Sequence, residues 1–500
     1  MSKNARTVRW DLRRRELLGA EKRVGPAPAP GPYPVAVCYP NTYRAAMAGL
    51  GFQFVWDEAA RHPSFRAERI FYSLSEKKVI DPDVPRSLES GFRFHSFEAG
   101  FFSIQYELDY FNFYRMLAAT GLNARAVDRR AGDPLIIVGG IAPTANPEPI
   151  APFADLVYLG DSESAFGDVL DILARTRGAP KADRLAGLRG FPGIYVPALD
   201  EEARVPVRIK TFTGFLSSGP VITPYASFGD TLLLEPIRGC PNRCRFCLIG
   251  NAGGAVRLRP LQTLLEEAGK GRRLTSKVSL IGSAVSDYPK IVELINNLAD
   301  EGYLVSVSSL NLASVTTGLL KALATSGQRS VTFAPEAGTD ELRSAVGKPL
   351  PNGRLDDVLA SAAEAGFRSV KLYYLVGLPG ETHGDAEAIG DEVGRLSREF
   401  PTLRLEVSAN PFVPKRWTPW ARKPVAPAKV IRSRLGIIRR TIKGRAGFSA
   451  ASPNEAAVQT FLSLGDRRAA EFIERRAESP RPHSRLNREE NDLLEEFRNR

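Results

Sequence analysis

Cysteine is scarce in this chain. Its 500 residues include four cysteines, at positions 38, 240, 244 and 247, with four histidines and three methionines. A secreted, disulfide-stapled fold uses more cysteines and spreads them along the chain, so that class does not fit. The histidines, His62, His95, His383 and His483, lie far from the cysteines in sequence and offer no nearby imidazole for a mixed metal site. Long apolar runs are missing too: nothing approaches the ~20 consecutive apolar residues of a membrane span. The basic opening MSKNARTVRWDLRRRELL has no apolar core behind it, so a secretory signal is not expected and a reducing cytoplasm is.

Acidic side chains are absent between Arg422 and Arg445, where Lys423, Lys429, Arg432, Arg434, Arg439, Arg440 and Lys443 stand in a chain of net charge +12. Ile431, Leu435, Ile438 and Ile442 recur among them at helical spacing, which predicts a basic amphipathic helix. Its charge reads either as a solvated face or as a field for an anionic partner: an RNA, an anionic lipid or a phosphorylated substrate. The remaining composition, 43% hydrophobic and 25% charged, is that of a globular protein too long for one domain.

Residues 1–30 read as a basic leader and a Pro/Ala linker. From Val35-Ala36-Val37-Cys38-Tyr39 onward, short β-rich runs alternate with helical ones. These are a helix through 45–60, FNFYRMLAATG at 111–121, LIIVGG at 135–140, DLVYLGDSE at 155–163 and FGDVLDILART after it. The alternation predicts a Rossmann-like α/β unit over 31–180, a mostly parallel sheet covered on both faces. Residues 181–230 read as an interdomain connection. A second series follows over 231–420, with strand candidates TLLLEPI, KVSLIG, YLVSVSS, SVTFAPE, SVKLYYLVG and LRLEVSANP. Six strand–helix units predict a partial (β/α)6 TIM-like barrel rather than a closed eight-stranded one. Residues 421–500 read as a small basic, helical extension.

Three of the cysteines fall in one short stretch, Gly239-Cys240-Pro-Asn-Arg-Cys244-Arg-Phe246-Cys247, directly after an apolar strand candidate. Gaps of three and then two residues let one loop offer three thiolates to separate corners of an iron–sulfur cluster, for which thiolate is the preferred ligand. A structural zinc site or an electron-transfer cluster takes four protein ligands. Here the fourth cysteine, Cys38, belongs to the other α/β unit, so one iron is left open to a small molecule.

Cys240-x3-Cys244-x2-Cys247, with Phe246 before the last cysteine, resembles the signature of the radical SAM superfamily. The resemblance implies a [4Fe–4S] cluster whose open iron binds S-adenosylmethionine, and an external electron donor such as a flavodoxin or ferredoxin. It further implies that Ser306 and Ser308 in SVSS, Glu336 in APEAGT, Lys371 in VKLYY, and Gly377 and Pro379 in GLPG surround the cofactor, as do Phe246 and Ser283. Many relatives carry Gly-Gly-Glu after the second barrel strand; this chain has Ile281-Gly282-Ser283-Ala284-Val285-Ser286-Asp287, leaving Ser283, Ser286 or Asp287 for the methionyl amine. The run from Gly139 and Gly140 through Thr144, with Gly160-Asp161-Ser162-Glu163 beyond it, is similar to the N-terminal domain of cobalamin-binding members. It implies that these glycine loops, with Thr144, Ser162 and Glu163, lie against the corrin. Glycine lets a backbone come close to such a ligand. The histidine motif that ligates cobalt is absent.

With cobalamin, the implied reaction is methyl transfer to an unactivated carbon. Rearrangement, cyclisation or oxidation without methyl transfer stands as the alternative, and a non-catalytic cluster protein that binds RNA or a complex through 422–445 as the third. The catalytic acid or base is unassigned. Phe412, Trp417 and Trp420, in NPFVPKRWTPW, either bury the barrel mouth or stack on a planar substrate.

Overall fold

A computed structural model describes residues 3–75, 84–203, 206–212, 218–351 and 353–499. The chain forms two compact units. The first contains residues 1–209, 213–231 and 465–482; the second contains 210–212, 232–464 and 483–500.

The first unit is built on a six-stranded sheet. Its strands are β1 (Tyr33–Thr42), β2 (Phe65–Ser73), β3 (Ala99–Ser103), β4 (Leu135–Gly139), β5 (Leu156–Tyr158) and β6 (Ile194–Tyr195), in the order β2-β1-β3-β4-β5-β6. All neighbours are parallel except β5 and β6. The order reverses at β1 and β3, and the crevice beyond the carboxyl ends of those two strands is where open α/β sheets take their ligands. β1 is buried on both faces, with Cys38 fully enclosed at its centre.

Three strands of this sheet escaped the sequence reading: β2, β3 and β6, the last lying in the stretch read as an interdomain connection. In β2, FRAERIFYS, charges interrupt the apolar pattern, yet Glu68 and Arg69 are 2% and 1% exposed. Arg69 is neutralised on two sides, by Glu21 at 2.7 Å and Glu89 at 2.6 Å, and its guanidinium lies 4.3 Å from the Trp56 ring centre. β3, AGFFS, is short and contains Gly100, where an added Cβ would lie 2.5 Å from the Phe94 ring. The residues read as a basic leader also form a helix, Lys3–Ala20. Its charge is offset by neighbours such as Asp11 and Glu16, and Trp10 and Leu17 enter the core. The helix Ala469–Glu478 completes this unit: Phe472 meets Phe111, and Glu474 pairs with Arg125 at 2.8 Å.

The second unit is a run of parallel strands, β7 (Leu232–Leu234), β8 (Lys277–Leu280), β9 (Leu304–Val307), β10 (Ser330–Glu336), β11 (Ser369–Val376), β12 (Arg404–Pro411) and β13 (Gly447–Ala450). Consecutive strands are neighbours throughout: β7-β8-β9 form one ladder and β10-β11-β12-β13 another, joined by a parallel bridge between Leu310 and Phe333. Helices fill the crossovers. Ile291–Asp300, for example, buries Ile291, Leu294, Ile295 and Leu298, a single stripe at helical spacing. This is a partial, open barrel of the expected kind, with one strand more than the six read from the sequence.

That seventh strand changes the reading of the basic segment. Ala428–Thr441 is the helix that crosses from β12 to β13, so it belongs to the barrel. Ile431, Arg434, Leu435 and Ile438 face inward, and Arg434 bonds to the buried Glu381 at 2.9 Å. Gly390 and Gly394, on the helix His383–Glu399, let it approach: a Cβ on either would collide with Thr441 or Arg445. Lys429, Arg432, Arg439, Arg440 and Lys443 remain on the solvent side.

Truncating Arg69 tests the buried triad in β2. Removing one partner strands the remaining charges, which costs about 3–5 kcal/mol. Arg69→Ala is expected to lower the urea midpoint of the transition that includes the first unit by that equivalent; an unchanged midpoint would refute the assignment.

Candidate active site

The three cysteines sit in a loop whose base is closed by a two-residue antiparallel ladder, Ile237 with Leu258 and Arg238 with Arg257. Gly239, just before the first cysteine, has φ +86° and stands where a Cβ would come within 3.2 Å of the Ala255 carbonyl. Glycine is therefore required to turn the strand into the loop. Asn251, on the short helix Leu248–Ala252 that follows Cys247, donates Nδ2 to the carbonyls of Cys244 and Cys247 at 2.9 and 2.8 Å. The amide of Arg245 donates to Val346 O at 2.8 Å, and Trp420 N donates to Arg245 O at 3.1 Å. The loop's shape is thus set largely by backbone and Asn251 contacts, and Asn242 Nδ2 also donates to Cys240 Sγ at 3.7 Å.

Phe246 is half-buried and has a packing role. It packs against a small core formed by Ala337, Leu342, Val346, Leu378, Phe412 and Trp420, so it ties the cysteine loop to the ends of β10, β11 and β12. Phe412 and Trp420 meet edge to face at 5.7 Å. Both are buried, whereas Trp417 between them is 55% exposed.

Cys240 and Cys247 are half-buried and Cys244 is buried. Burial pushes the Cys244 thiol up to about 11, and Lys348 acts in the opposite direction. Metal coordination is what deprotonates a thiol in such surroundings. Among the described residues no group of three or more His, Cys, Asp or Glu side chains is gathered for a single metal ion. A lone zinc draws each thiolate to about 2.3 Å of one centre; a four-iron cluster takes each thiolate on a different iron, so its ligands stand farther apart. Three cysteines spaced along one short loop are a donor set of the kind that thiolate-ligated iron clusters take. Cys38, enclosed in the first unit's sheet and with its thiol pushed up by burial, is a core residue.

The other residues implied for the cofactor are spread over the carboxyl halves of the barrel strands. Glu336 ends β10 with φ +70°, a left-handed conformation that costs a non-glycine residue about 1–3 kcal/mol. Its carboxylate accepts from Lys348 at 2.9 Å rather than from Lys371. Burial raises its proton affinity, and Lys348 opposes this. Alternation along β11 settles where Lys371 points: Val370, Leu372, Tyr374 and Val376 are buried against the helices, and Lys371, Tyr373 and Leu375 share the opposite, inner face. Lys371 lies 5.0 Å from the Tyr373 ring centre. Ser306 is on the inner side of β9 with its hydroxyl 3.4 Å from Val278 O, and Ser308 is exposed just beyond the strand.

After β8, Ser283 is exposed, while Ser286 accepts from Asn311 N at 3.0 Å and from the Ser314 hydroxyl at 3.1 Å. Ser286 therefore serves to join two strand-end loops. The Gly377-Leu378-Pro379-Gly380 turn is held by Glu381, whose carboxylate accepts from the amides of Gly377 and Leu378 and from Arg434. Burial pushes the Glu381 carboxyl up to about 7, against the pull of Arg434 and the two amides.

In the first unit, Gly140 and Gly160 are half-buried, and the side-chain direction of each is filled by the chain itself. A Cβ at Gly140 would lie 2.2 Å from Ile104 O, and one at Gly160 would lie 1.9 Å from Val207 O. Thr144 donates no cradle either; its hydroxyl accepts from Gly160 N at 3.0 Å. Gly139, Gly140, Gly160, Ser162 and Glu163 are all half-buried at this edge of the sheet, and Thr144 is buried. The reversal point of the sheet holds a polar group that the sequence reading passed over. Asn41 Nδ2 lies 2.8 and 3.0 Å from the Asp109 oxygens, and Asn112 donates to the same carboxylate at 3.1 Å.

Lys348 and Asn251 were also missed. Asn251 carries a faint signal, a polar residue four positions after a cysteine that opens a helix. Nothing in the sequence links Lys348 to Glu336.

Two family models match the chain: radical SAM proteins, N-terminal, over residues 51–197, and the radical SAM superfamily over residues 234–393. An uncharacterised protein of Methanocaldococcus jannaschii is 29% identical over 393 residues, covering 77% of this chain and 78% of the relative. Among solved structures, the radical S-adenosylmethionine methyltransferase TsrM from Kitasatospora setae, with cobalamin and a [4Fe–4S] cluster bound, aligns with a TM-score of 0.60 at 12% identity. That alignment covers 89% of this chain and 99% of TsrM. The cobalamin-dependent S-adenosylmethionine radical enzyme OxsB aligns with a TM-score of 0.54 at 12% identity, over 93% of this chain and 75% of OxsB. At such identities the alignments establish a shared fold. With both family models matched in order along one chain, and a three-cysteine loop at the end of the first barrel strand, this protein belongs to the radical SAM superfamily.

Proposed function

We propose that the chain is a radical S-adenosylmethionine enzyme that holds a [4Fe–4S] cluster through Cys240, Cys244 and Cys247 and transfers a methyl group to an unactivated carbon with cobalamin as second cofactor. The observation that carries the first part is the cysteine loop: its fold is fixed by Asn251, by backbone bonds to Val346 and Trp420, and by Phe246. Its three cysteines are the ligand set, and the one other cysteine of the sequence, Cys38, is enclosed in the first unit's sheet. When bound, the cluster provides the electron that splits the sulfonium to a 5′-deoxyadenosyl radical, and cobalamin provides a methyl carrier.

The chain's own part is to bind, orient and exclude water. Glu336 is an anionic acceptor at the end of β10, held in a strained backbone by its neighbours, and strain of this kind collects at working sites. It suits the ribose or the amine of S-adenosylmethionine. Lys371 and Ser306 line the inner face beneath it, and the Gly377–Gly380 turn presents backbone to the adenine side. The buried Glu381–Arg434 pair keeps that turn in register with the last barrel helix.

The cobalamin part is supported by the sheet order of the first unit, by its reversal point at β1 and β3, and by the shared fold with two proteins whose structures hold cobalamin. The direction a side chain would take from Gly140 and from Gly160 is filled by Ile104 and Val207, and the Thr144 hydroxyl accepts from Gly160 N, so both positions need glycine for the packing of these loops. Anaerobic reconstitution with cobalamin, reductant and S-adenosylmethionine decides the reaction class. Formation of both 5′-deoxyadenosine and S-adenosylhomocysteine is the expected result, and 5′-deoxyadenosine alone would mean a radical reaction without methyl transfer.

Replacing any one of Cys240, Cys244 or Cys247 by alanine is expected to abolish the reconstituted cluster's visible absorption and 5′-deoxyadenosine formation. Cys38→Ala is expected to keep both. Retention of the cluster in a loop variant would remove the ligand assignment.

Glu336→Ala deletes a hydrogen bond involving a charged group, an interaction of about 1.5–3 kcal/mol. Its S-adenosylmethionine affinity should fall by about ten-fold or more with the cluster spectrum intact. Equal affinity in the variant and the parent would show that Glu336 only supports the loop.

A further inference from the structure

An asparagine in a tight loop ordinarily turns its own backbone, its Oδ1 accepting from an amide two residues on. Asn242, between Cys240 and Cys244, does not do this. Its Oδ1 accepts no hydrogen bond among the described residues, and its Nδ2 donates to Cys240 Sγ at 3.7 Å. Of the three sulfurs in the loop, that of Cys240 is the one that accepts a hydrogen bond among the described residues.

The donor is held from behind. Gly250 is buried on the short helix Leu248–Ala252, and a Cβ there would lie 2.2 Å from Asn242 O. Glycine thus lets the helix close on the Asn242 backbone. The next residue of the same helix, Asn251, holds the carbonyls of Cys244 and Cys247. A side chain that served the loop alone would end on backbone groups, as both bonds of Asn251 do. Asn242 ends on a sulfur, and it is half-buried, which limits the competition of water for its amide.

An N–H group on a cysteine sulfur draws electron density from the thiolate. A cluster gains one negative charge on reduction, so such a bond is stronger in the reduced state and lifts the midpoint potential. Charges near the loop offset one another. Lys348 favours the ionised form of Cys244 and Glu336 disfavours it, and the two are themselves paired at 2.9 Å. The Asn242 amide has no counterpart of opposite sense.

We propose that Asn242 is a positioning residue that acts through Cys240: its Nδ2–H group, held on the sulfur, raises the reduction potential of the cluster. The inference rests on the reading of Cys240, Cys244 and Cys247 as cluster ligands and adds to it a residue that sets how readily the cluster accepts its electron.

The test is an anaerobic redox titration of the reconstituted full-length protein, followed by electron paramagnetic resonance, on the parent and on Asn242→Leu, Asn242→Asp and Asn251→Ala. N242L removes the donor without adding charge. Its midpoint is expected to fall by the equivalent of about three- to ten-fold in the reduction equilibrium, ten-fold being about 59 mV for one electron. N242D removes the donor and adds a negative charge beside the sulfur, so its midpoint is expected to fall at least as far. Where leucine prevents cluster uptake, the N242D midpoint decides in the same way. N251A loosens the loop without touching a sulfur, and is expected to lose cluster more readily while the cluster that remains keeps the parent midpoint. An N242L midpoint equal to or above the parent's overturns the proposal. So does an equal fall in N251A, which would show that the potential follows loop geometry. The visible absorption of the reconstituted parent is recorded first. A parent without cluster refutes the ligand reading and this inference with it, whereas a parent with cluster and an unshifted N242L refutes the role of Asn242 alone.

Discussion

A loop that must present three thiolates to a cluster cannot rely on those thiolates for its own structure. In this chain the loop is held from behind. Two backbone bonds join Arg245 to Val346 and Trp420, the Asn251 amide spans the carbonyls of Cys244 and Cys247, and Phe246 is pressed into the core formed by Ala337, Leu342, Val346, Leu378, Phe412 and Trp420. Those core residues come from the segments that follow β10, β11 and β12. The loop after the first barrel strand is therefore anchored to the ends of the fourth, fifth and sixth. Neighbouring strands then inherit their register at the working end from one shared apolar contact.

The same logic accounts for the basic helix. Taken as charge alone, residues 422–445 look like an appendage with its own partner. Arg434 shows why that division fails: it is buried, it neutralises Glu381, and Glu381 holds the amides of the turn after β11. A buried carboxylate without its guanidinium would be costly, so helix and turn stand or fall together. The remaining cations lie on the outer face of a barrel helix, and the helix itself is structural.

What could be read from the sequence follows from the range of the forces involved. The cysteine loop is a local pattern, and it was legible. The six strands from TLLLEPI to LRLEVSANP were legible because a parallel strand buried by crossover helices reads as an apolar run. β2 was not, because its charges are satisfied inside the core by Glu21 and Glu89, from elsewhere in the chain. Lys348 could not be assigned to Glu336, nor Asn112 to Asp109 and Asn41, since those pairings exist only once separate elements are packed. Glycines were the most ambiguous. A missing Cβ at Gly140 or Gly160 reads in sequence as room for a ligand; in the structure it also admits the close approach of Ile104 and Val207, which no sequence pattern announces.

Backbone strain separates working residues from packing residues more sharply than composition does. Glu336 and Trp417 hold left-handed conformations that their side chains disfavour, and each is flanked by members of the apolar core: Ala337 beside the first, Phe412 and Trp420 on either side of the second. A strained residue persists only where its surroundings over-determine it, and this core is what does so. Glycine at Glu336 would relieve the strain but delete the carboxylate that accepts from Lys348. Keeping a carboxylate there makes sense when the side chain is used, and it sits at a strand end beside the core that anchors the cysteine loop.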